Sequence, residues 1–470
     1  MRCLITVRGL KCGVNNCAIE LNLGPTKAAA AMRGALVLAV FSALLAAVVL
    51  PANAQTETVL YSFSGTPSDG ANPYAKPVFD GANLYGTTYG GGAYGYGTVF
   101  KLDPSGTETI LHSFDFNGSD GYYPYASLVL GEKGILYGTT ELGGAYGQGT
   151  VFEVKPTRDG STAAILHSFD LNGTDGADPF ATLILDKVGN LYGTTYAGGG
   201  YSSGAVFELA PSGTETILHS FDFNGSDGYY PNASLVLDGE GNLYGTTTYG
   251  GAYGCAEDGC GTVFELTPSG NETILHSFGA SGDGSGPYGH LVRHNGNLYG
   301  TTTEGGAYNY YGTVFELKLY RGKWTETILH SFENNGTDGV NPPADLVFDK
   351  NGNLYGTTNG GGAYNYGTVF ELSPPSSSGS SWTETILWSF GNGTDGRYPE
   401  GGLVFDTEGN LYGTTGYGGV YGRSGGGRGY GTVFKVTPSE GGSEVESAQI
   451  SGVLRPVRRF HPQQTTNSGP

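Results

Sequence analysis

Oxygen-bearing side chains recur at a fixed spacing along the chain. An Asp-Gly pair occurs once in each of seven similar stretches, and three copies extend it to Asp-x-Asn-Gly-Ser/Thr-Asp-Gly. This spacing is typical of the first half of a calcium-binding loop. The candidate ligands are Asp115, Asn117, Asp120, Asp170, Asp175, Asp222 and Asp227. An EF-hand would place its bidentate Glu where the first copy has Ala126, so Asx turns explain the motif more simply. We therefore predict no cofactor, with calcium as the alternative.

Tyrosines in Gly-rich loops form a second candidate set. One group recurs in register, which indicates a packing role: Tyr94, Tyr146, Tyr253, Tyr308 and Tyr364. A ligand site would be built where the copies differ, and the candidate ligand-binding tyrosines are Tyr123, Tyr125, Tyr230, Tyr288 and Tyr398. A tyrosine ring has a flat apolar face and a polar tip, which suits stacking on sugars or packing in a protein interface.

Histidines divide in the same way. Five of the eight occupy one repeat position, which is filled elsewhere by Tyr61 and Trp388 and therefore favours packing over metal binding. His290 and His294 lie outside that position and join the candidate ligand-binding residues. An enzyme would need non-repeating polar residues, such as Arg293, Asp178 and Glu400, to converge on a pocket. We assign no catalytic residue.

The elements that must position these residues are strands. Leu-Tyr-Gly-Thr-Thr, Gly-Thr-Val-Phe, an Ile-Leu-His-Ser-Phe-like phrase and a short apolar run each recur seven times in units of 52–57 residues. The phrases are rich in β-branched and aromatic residues, and Gly, Asn, Asp and Pro bound them. A four-stranded antiparallel sheet cannot cover both its faces alone, so the units are expected to pack around an axis. The sequence predicts an all-β, seven-bladed β-propeller.

The phase of the repeat predicts how the ring closes. The apolar run is expected to be the innermost strand of each blade, and the Ile-Leu-His-Ser-Phe-like strand the outermost. The repeats begin with an outer strand at residues 56–63 and end with three inner strands at residues 402–436. The N-terminal strand should therefore pair with residues 431–436 in the last blade, which removes the exposed edges.

The unit resembles the GloVer tandem repeat of exported bacterial proteins described as "choice-of-anchor". The resemblance covers residues 56–438 and rests on Gly-Asn-Leu-Tyr-Gly-Thr-Thr, as at residues 189–195, on Gly-Thr-Val-Phe and on Leu-His-Ser-Phe. It implies an exported surface or secreted protein, and it brings no established activity. The C-terminal tail has no recognisable anchor, which favours free secretion.

The ends of the chain predict export. Arg33, an apolar run over residues 35–50 and the Ala52-Asn53-Ala54 site are typical of a signal peptide cleaved after Ala54. A membrane anchor is the alternative, but the run is short for a span. We predict an N-terminal extension and signal peptide at residues 1–54, a propeller at residues 55–438 and a disordered polar tail at residues 439–470. The destination is extracellular, cell-surface or periplasmic.

Cysteines and charge narrow the predicted partners. Cys255 and Cys260 are close in an exported chain, which favours a local disulfide over a metal site. The net charge of −20 makes nucleic acid an unsuitable partner.

We predict a monomeric binding module whose Tyr- and Gly-rich loop face recognises carbohydrate or protein. The alternative is a lyase or hydrolase with its site at the central channel mouth, since propellers host both classes.

Overall fold

The computed structural model describes residues 7–13, 16–21, 56–157, 160–223, 227–254, 259–308, 310–377, 380–422 and 428–438. Within residues 1–54 it describes one antiparallel hairpin, Val7–Gly13 with Asn16–Leu21. The predicted signal peptide segment, its cleavage site and the tail at residues 439–470 lie outside the described residues. Among the described residues, no helix has the length and apolarity needed to cross a membrane.

Residues 56–438 form seven four-stranded antiparallel sheets arranged as the blades of a ring, which confirms the predicted propeller. The inner strands are Val78–Phe79, Val129–Leu130, Ile184–Leu185, Val236–Leu237, Val292–His294, Val347–Phe348 and Val404–Phe405. The second strands are Leu84–Thr88, Leu136–Thr140, Leu191–Thr195, Leu243–Thr247, Asn297–Thr302, Leu354–Thr358 and Leu411–Thr415. The third strands are Thr98–Leu102, Thr150–Thr157, Ala205–Leu209, Thr262–Leu266, Thr313–Tyr320, Thr368–Ser373 and Thr432–Thr437. The outer strands of blades 1 to 6 are Glu108–Ser113, Gly160–Ser168, Glu215–Ser220, Glu272–Ser277, Lys323–Ser331 and Thr383–Ser389.

The outer strand of blade 7 comes from the start of the repeats. Thr56–Ser62 pairs antiparallel with Thr432–Thr437, from Thr56 opposite Thr437 to Ser62 opposite Thr432. The predicted ring closure is therefore confirmed. Closing the ring between the two ends of the repeat region leaves no blade with an unpaired third strand.

Phenylalanines fill the space between neighbouring blades. Phe63, on the last blade, lies edge-on to Phe100 of the first blade with ring centroids 5.2 Å apart, and both side chains are buried. The glycine of Leu-Tyr-Gly-Thr-Thr makes room for this ring, because a Cβ on Gly86 would lie 2.6 Å from Cζ of Phe100. The same Gly–Phe pairing recurs around the ring and explains why a glycine is tolerated inside these strands.

Short two-stranded ribbons join each blade-to-blade connection to the loop after the second strand. They are Gly70–Ala71 with Gly90–Gly91, Gly121–Tyr122 with Leu142–Gly143, Gly176–Ala177 with Ala197–Gly198, Gly228–Tyr229 with Tyr249–Gly250, Gly284–Ser285 with Glu304–Gly305, Gly339–Val340 with Gly360–Gly361, and Gly396–Arg397 with Tyr417–Gly418. Two single-turn 3₁₀ helices, Glu132–Gly134 and Val420–Gly422, complete the described elements. The ribbons bring both kinds of loop to one face of the ring.

Candidate functional site

The same tetrapeptide pattern, Pro-x-small-y, precedes all seven inner strands. It begins at Pro73, Pro124, Pro179, Pro231, Pro287, Pro342 and Pro399. The residue before each proline has a positive φ between 53° and 63° (Asn72, Tyr123, Asp178, Tyr230, Gly286, Asn341 and Tyr398). Proline fixes the next φ, so this pair of residues sets the path of the chain into the channel mouth.

Hydrogen bonds hold the tetrapeptides between adjacent blades. The backbone N–H of Tyr123 donates to the carbonyl of Tyr96 in the preceding blade at 3.0 Å, and its own carbonyl accepts from Glu141 at 3.1 Å. Thr87 of the second strand donates from Oγ1 to the carbonyl of Ala126, the small residue of the next tetrapeptide, at 2.9 Å. Equivalent bonds form from Thr139, Thr194, Thr301, Thr357 and Thr414. The repeated residues therefore fix the backbone, while positions x and y remain free to vary.

Position x supplies the wall of a pocket of about 480 Å³ at the channel mouth. All seven x residues line it: Tyr74, Tyr125, Phe180, Asn232, Tyr288, Pro343 and Glu400. Tyr196, which follows a second strand, adds another ring. Tyr125 and Tyr288 remain 37% and 45% exposed, so their rings are accessible to a ligand.

Position y supplies a ring of seven residues, here named the floor ring: Lys76, Ser127, Thr182, Ser234, His290, Asp345 and Gly402. Each of the six polar members is hydrogen-bonded to another member. The backbone N–H of Ser127 donates to Oγ1 of Thr182 at 3.1 Å, and Oγ of Ser234 donates to the carbonyl of Thr182. Ser234 Oγ lies 3.1 Å from Nε2 of His290. The chain of contacts continues to Asp345, and only Gly402 contributes no side chain.

Asp345 is the electrostatic centre of the floor ring. Its Oδ1 lies 3.0 Å from Nδ1 of His290, and its Oδ2 lies 3.0 Å from Nζ of Lys76. Burial alone would raise the pKa of Asp345, but His290 and Lys76 hold it well below its ordinary value. Asp345 is therefore an ionised carboxylate between two basic side chains.

Glu400 has the opposite electrostatic character in the same pocket. Its Oε2 accepts a hydrogen bond from the hydroxyl of Tyr125 at 2.9 Å, and its Oε1 accepts from Nδ2 of Asn359 at 3.1 Å. Burial raises the pKa of Glu400, although both hydrogen bonds act to lower it. Burial, followed by the charge of Glu400, also raises the pKa of Tyr125. The pocket thus holds two carboxyl groups whose proton affinities are shifted in opposite directions.

The order Ser234, His290, Asp345 resembles a hydrolase triad in its contacts, but its hydrogen bonds differ from those of an activated nucleophile. Ser234 is 4% exposed and does not line the pocket. Its single hydroxyl proton goes to the carbonyl of Thr182, at a distance of 2.5 Å, and is not directed to His290. A nucleophilic serine must be accessible and must donate to its base. Ser234 therefore supports the floor ring structurally.

The ligand candidates from the sequence fall into two groups. Tyr125, Tyr288 and His290 line the pocket, together with Glu400.

Tyr123 and Tyr230 occupy the position before the proline, and their rings stack on those of Tyr89 and Tyr196 with centroids 4.5 Å apart. Tyr398 shares that position and lies edge-on to Tyr366 and Tyr417. His294 ends an inner strand and stacks on Phe348 at 4.1 Å. None of these four is among the lining residues, and neither are Arg293 and Asp178.

Lys76, Ser127, Thr182 and Asp345 are pocket residues that the sequence analysis did not single out. The signal that identifies them is the variation within one repeat position. Aligned on the proline, position y changes from Lys to Ser, Thr, His, Asp and Gly, whereas the preceding residue is always Ala or Gly. A position with a fixed backbone and variable chemistry is where an individual site can be built.

A second set of titratable groups lies at the blade junctions. The His at the repeated outer-strand position contacts the Asp of the Asp-Gly pair, as in His276 Nε2 to Asp283 Oδ2 at 3.1 Å, and lies 3.7 Å from Glu326 of the next blade. Four such clusters place their ligand atoms within 4.8 Å of one another: His167–Asp175–Glu215, His219–Asp227–Glu272, His276–Asp283–Glu326 and His330–Asp338–Glu384. These donor types and spacings are compatible with a divalent cation.

Protonation offers another way to stabilise these four clusters and the two further Asp–Glu contacts at blade junctions, Glu57 with Asp395 and Glu108 with Asp69. Burial, followed by the neighbouring Asp, raises the pKa to about 7 for Glu57, Glu108, Glu215 and Glu272 and to about 9 for Glu326 and Glu384. A protonated Glu can share its proton with the adjacent Asp. We therefore interpret the junctions as carboxyl pairs that join one blade to the next.

The calcium candidates contribute to these same junctions or to Asx turns. Asp120 accepts hydrogen bonds from the backbone N–H of Asp115 and of Gly121, and it lies 3.0 Å from His112. Asn117 Oδ1 accepts from the backbone of Ser119 and Asp120. Asp175 and Asp227 accept from the backbone N–H of Asp170 and Asp222 in the same manner. Asx-turn bonding thus accounts for the motif within the described residues.

The structure describes one of the two cysteines of the predicted disulfide. Cys260 is disulfide-bonded and buried at the end of the loop before a third strand, whereas Cys255 lies outside the described residues.

The blade arrangement and the pocket define the class of this protein: a seven-bladed β-propeller with one pocket at its channel mouth, built from the positions at which its repeats differ. The model of the Gloeobacter/Verrucomicrobia repeat matches residues 47–257 and 255–452. The chain belongs to this family, which agrees with the resemblance found in the sequence.

Comparison with known proteins gave low similarities. No curated protein matches the chain. A putative 6-phosphogluconolactonase from Bacteroides uniformis is 18% identical with a TM-score of 0.45, over 72% of this chain and 88% of that one. A putative gluconolactonase is 13% identical with a TM-score of 0.39, over 82% and 92%. A luciferin-regenerating enzyme is 13% identical with a TM-score of 0.42, over 82% and 96%. The fold assignment rests on the strand pairings themselves.

Proposed function

We propose that the protein is a binding module that holds a saccharide in the channel-mouth pocket. The observation that carries this proposal is the composition of the wall. Five aromatic rings, those of Tyr74, Tyr125, Phe180, Tyr196 and Tyr288, surround polar side chains within about 480 Å³. Sugars present apolar C–H faces that stack on aromatic rings and hydroxyls that hydrogen-bond to polar groups.

Binding of purified full-length chain to a panel of oligosaccharides, measured by isothermal titration calorimetry, tests this function. Tyr288→Ala should weaken binding about tenfold, since losing a stacked ring removes roughly 1.4 kcal/mol. Tyr94→Ala is the matched control, because Tyr94 is a loop tyrosine of the repeated set and is 58% exposed. Equal loss in both variants, or no binding by the native chain, would exclude the pocket as the saccharide site.

Enzymatic turnover in the same pocket is the second candidate function. The observation that favours it is the pairing of Asp345, whose pKa is lowered by His290 and Lys76 against its burial, with Glu400, whose pKa is raised by burial. Carboxyl groups with divergent proton affinities are typical of acid–base catalysis. Incubating the same panel with protein and analysing the products separates the functions: a hydrolase or lyase releases shorter saccharides, and Glu400→Gln abolishes that release.

We propose further that the chain is exported and acts outside the cytoplasm. The predicted signal peptide, with its charged, apolar and cleavage regions in residues 33–54, and the disulfide-bonded Cys260 support this location. Mass spectrometry of the N-terminus of secreted protein should give Gln55 as the first residue. A cell-associated chain that retains residues 33–54 would contradict it.

A further inference from the structure

We propose that the channel-mouth pocket selects saccharides that carry a carboxylate, such as uronic acid oligomers. This inference rests on the saccharide-binding function proposed above and adds the charge of the ligand. Its basis is the ammonium group of Lys76, which lines the pocket beside the aromatic rings and has hydrogen-bond donors to spare.

His290 makes its contacts within the floor ring. Its Nε2 lies 3.1 Å from Oγ of Ser234, whose hydroxyl donates to the carbonyl of Thr182. On the other side of the imidazole, Nδ1 lies 3.0 Å from Oδ1 of Asp345. Both ring nitrogens are therefore engaged by floor-ring neighbours, which leaves Lys76 to contact a charged ligand.

Lys76 supplies a positive charge with unused hydrogen-bond donors. Its ammonium group has three N–H bonds, and one of them points to Oδ2 of Asp345 at 3.0 Å. The side chain is 32% exposed and lines the pocket, so it can reach a ligand. Lys76 is the one Lys or Arg among the described lining residues.

Lys76 brings positive charge to the surface of the pocket. Its partner Asp345 also lies 3.0 Å from His290, so this carboxylate is shared between two basic side chains. Glu400 is the other acidic side chain among the described lining residues, and burial raises the pKa of this carboxyl. The chain as a whole carries a net charge of −20, so an ammonium group in the pocket is a local exception that attracts anions.

The arrangement of charge and aromatic rings fits a uronic acid. The wall rings can stack on the apolar face of the sugar, while the sugar carboxylate accepts hydrogen bonds from Lys76. A charge-assisted hydrogen bond of this kind contributes about tenfold or more in affinity. A neutral sugar of the same ring stereochemistry can make the stacking contacts and lacks the ionic one.

Calorimetry with matched pairs of oligosaccharides tests the inference on the full-length chain. The pairs are galactose and galacturonate, glucose and glucuronate, and mannose and mannuronate oligomers of equal length. We expect the acidic member of the binding pair to bind at least tenfold more tightly at low salt. Raising the salt concentration should weaken the acidic member and leave the neutral one unchanged, because salt screens the ionic contact.

Variants at Lys76 test whether this residue causes the preference for acidic oligosaccharides. Lys76→Met should reduce the preference for the acidic over the neutral oligomer at least tenfold, and Lys76→Arg should retain most of that preference. Lys187→Met, at an exposed turn, is the matched control. Glu400→Gln keeps the shape of the side chain and prevents its ionisation, so it should preserve or strengthen acidic binding.

The outcomes separate this inference from the function on which it rests. Equal binding of neutral and acidic oligomers, or an acidic preference that survives Lys76→Met, overturns the charge selection and leaves the saccharide site standing. Failure of every oligosaccharide to bind overturns the proposed function and the inference with it.

Discussion

Gly402 occupies the floor position of the seventh blade, between the two residues that form the Lys76–Asp345 ion pair. A Cβ at this position would lie 2.9 Å from Cβ of Asp345, closer than side chains tolerate. The Lys76–Asp345 ion pair therefore passes over the seventh blade, which contributes no side chain to the floor ring. The space left by Gly402 is what permits the contact. This glycine is needed for the space it leaves, since its backbone φ is not positive.

Gly402→Ala should displace Asp345 and weaken its pairing with Lys76. We expect the free energy of unfolding to fall by about 1–3 kcal/mol, as for other overpacked positions. Denaturant unfolding measures the change. Gly239→Ala is the control, because no atom lies within 4 Å of a Cβ there. Equal stability of both variants would show that Asp345 tolerates the extra carbon.

Tyr125→Phe removes the hydroxyl that donates to Glu400 and should raise the pKa of Glu400 further. The direction follows because this hydrogen bond stabilises the ionised carboxylate and acts against the effect of burial. Carboxyl ¹³C NMR of glutamate-labelled protein follows the titration. Tyr94→Phe should leave the pKa of Glu400 unchanged, whereas an unchanged Glu400 in Tyr125→Phe would mean that the hydrogen bond is not made in solution.

One position of the outer strands contributes a carboxyl group to the contact between neighbouring blades, and one of the seven strands lacks it. Six carry a Glu that reaches the Asp of the preceding junction, and the second blade has Ala163 instead. Ala163 lies opposite Val154, just as Glu215 lies opposite Leu209 in the next blade. A cavity of about 230 Å³ opens there beside His112 and Asp120. The junction between blades 1 and 2 thus lacks its carboxyl pair.

Ala163→Glu should restore the missing pair and fill this cavity. We expect a rise of about 1 kcal/mol in the free energy of unfolding at pH 5, where the new carboxyl can share a proton with Asp120. The gain should fade at pH 9. Thr162→Glu, one residue earlier and exposed, is the control and should change stability little. Destabilisation by Ala163→Glu at both pH values would contradict the carboxyl-pair interpretation.

The strand pattern and its phase could be predicted from the sequence because they repeat seven times. Ring closure followed from one asymmetry, an outer strand at the start and none at the end. The floor ring was harder to predict because its residues directly precede the apolar runs and resemble the beginning of a strand. The inner strands contain only two or three residues, so residues such as Lys76 and Asp345 belong to a turn that faces the channel. Tyr123 and Tyr230 vary as ligand residues would, yet their backbone sets them against neighbouring rings.

The molecule as a whole should be most stable at mildly acidic pH. Six junction glutamates have pKa values raised by burial from 4.5 to about 7 or about 9. The folded state therefore binds more protons than the unfolded state between pH 4.5 and these values, and stability falls as pH rises through that window. The pKa of Asp345 is lowered by its basic neighbours despite burial, so its contribution is lost at the acidic extreme, below pH 3.8.

Melting temperatures measured from pH 4 to pH 10 test this profile. We expect a maximum near pH 5 and a decline above it. The double variant Glu326→Gln and Glu384→Gln removes the two groups with the highest pKa and should flatten the decline between pH 7 and pH 9. Glu240→Gln, on an exposed turn, is the control. A melting temperature that rises from pH 5 to pH 8 would contradict the proposed protonation of the junctions.

The central claim is that the propeller holds its ligand where the seven tetrapeptides differ, and hydrogen–deuterium exchange with and without bound oligosaccharide tests it most directly. Protection on binding should appear in the peptides that contain residues 74–76, 125–127, 288–290, 343–345 and 400–402, because each range includes residues that line the pocket. The repeated loops around Tyr94 and Tyr146 should exchange at the same rate in both samples. Protection confined to those loops or to the outer strands would contradict the claim.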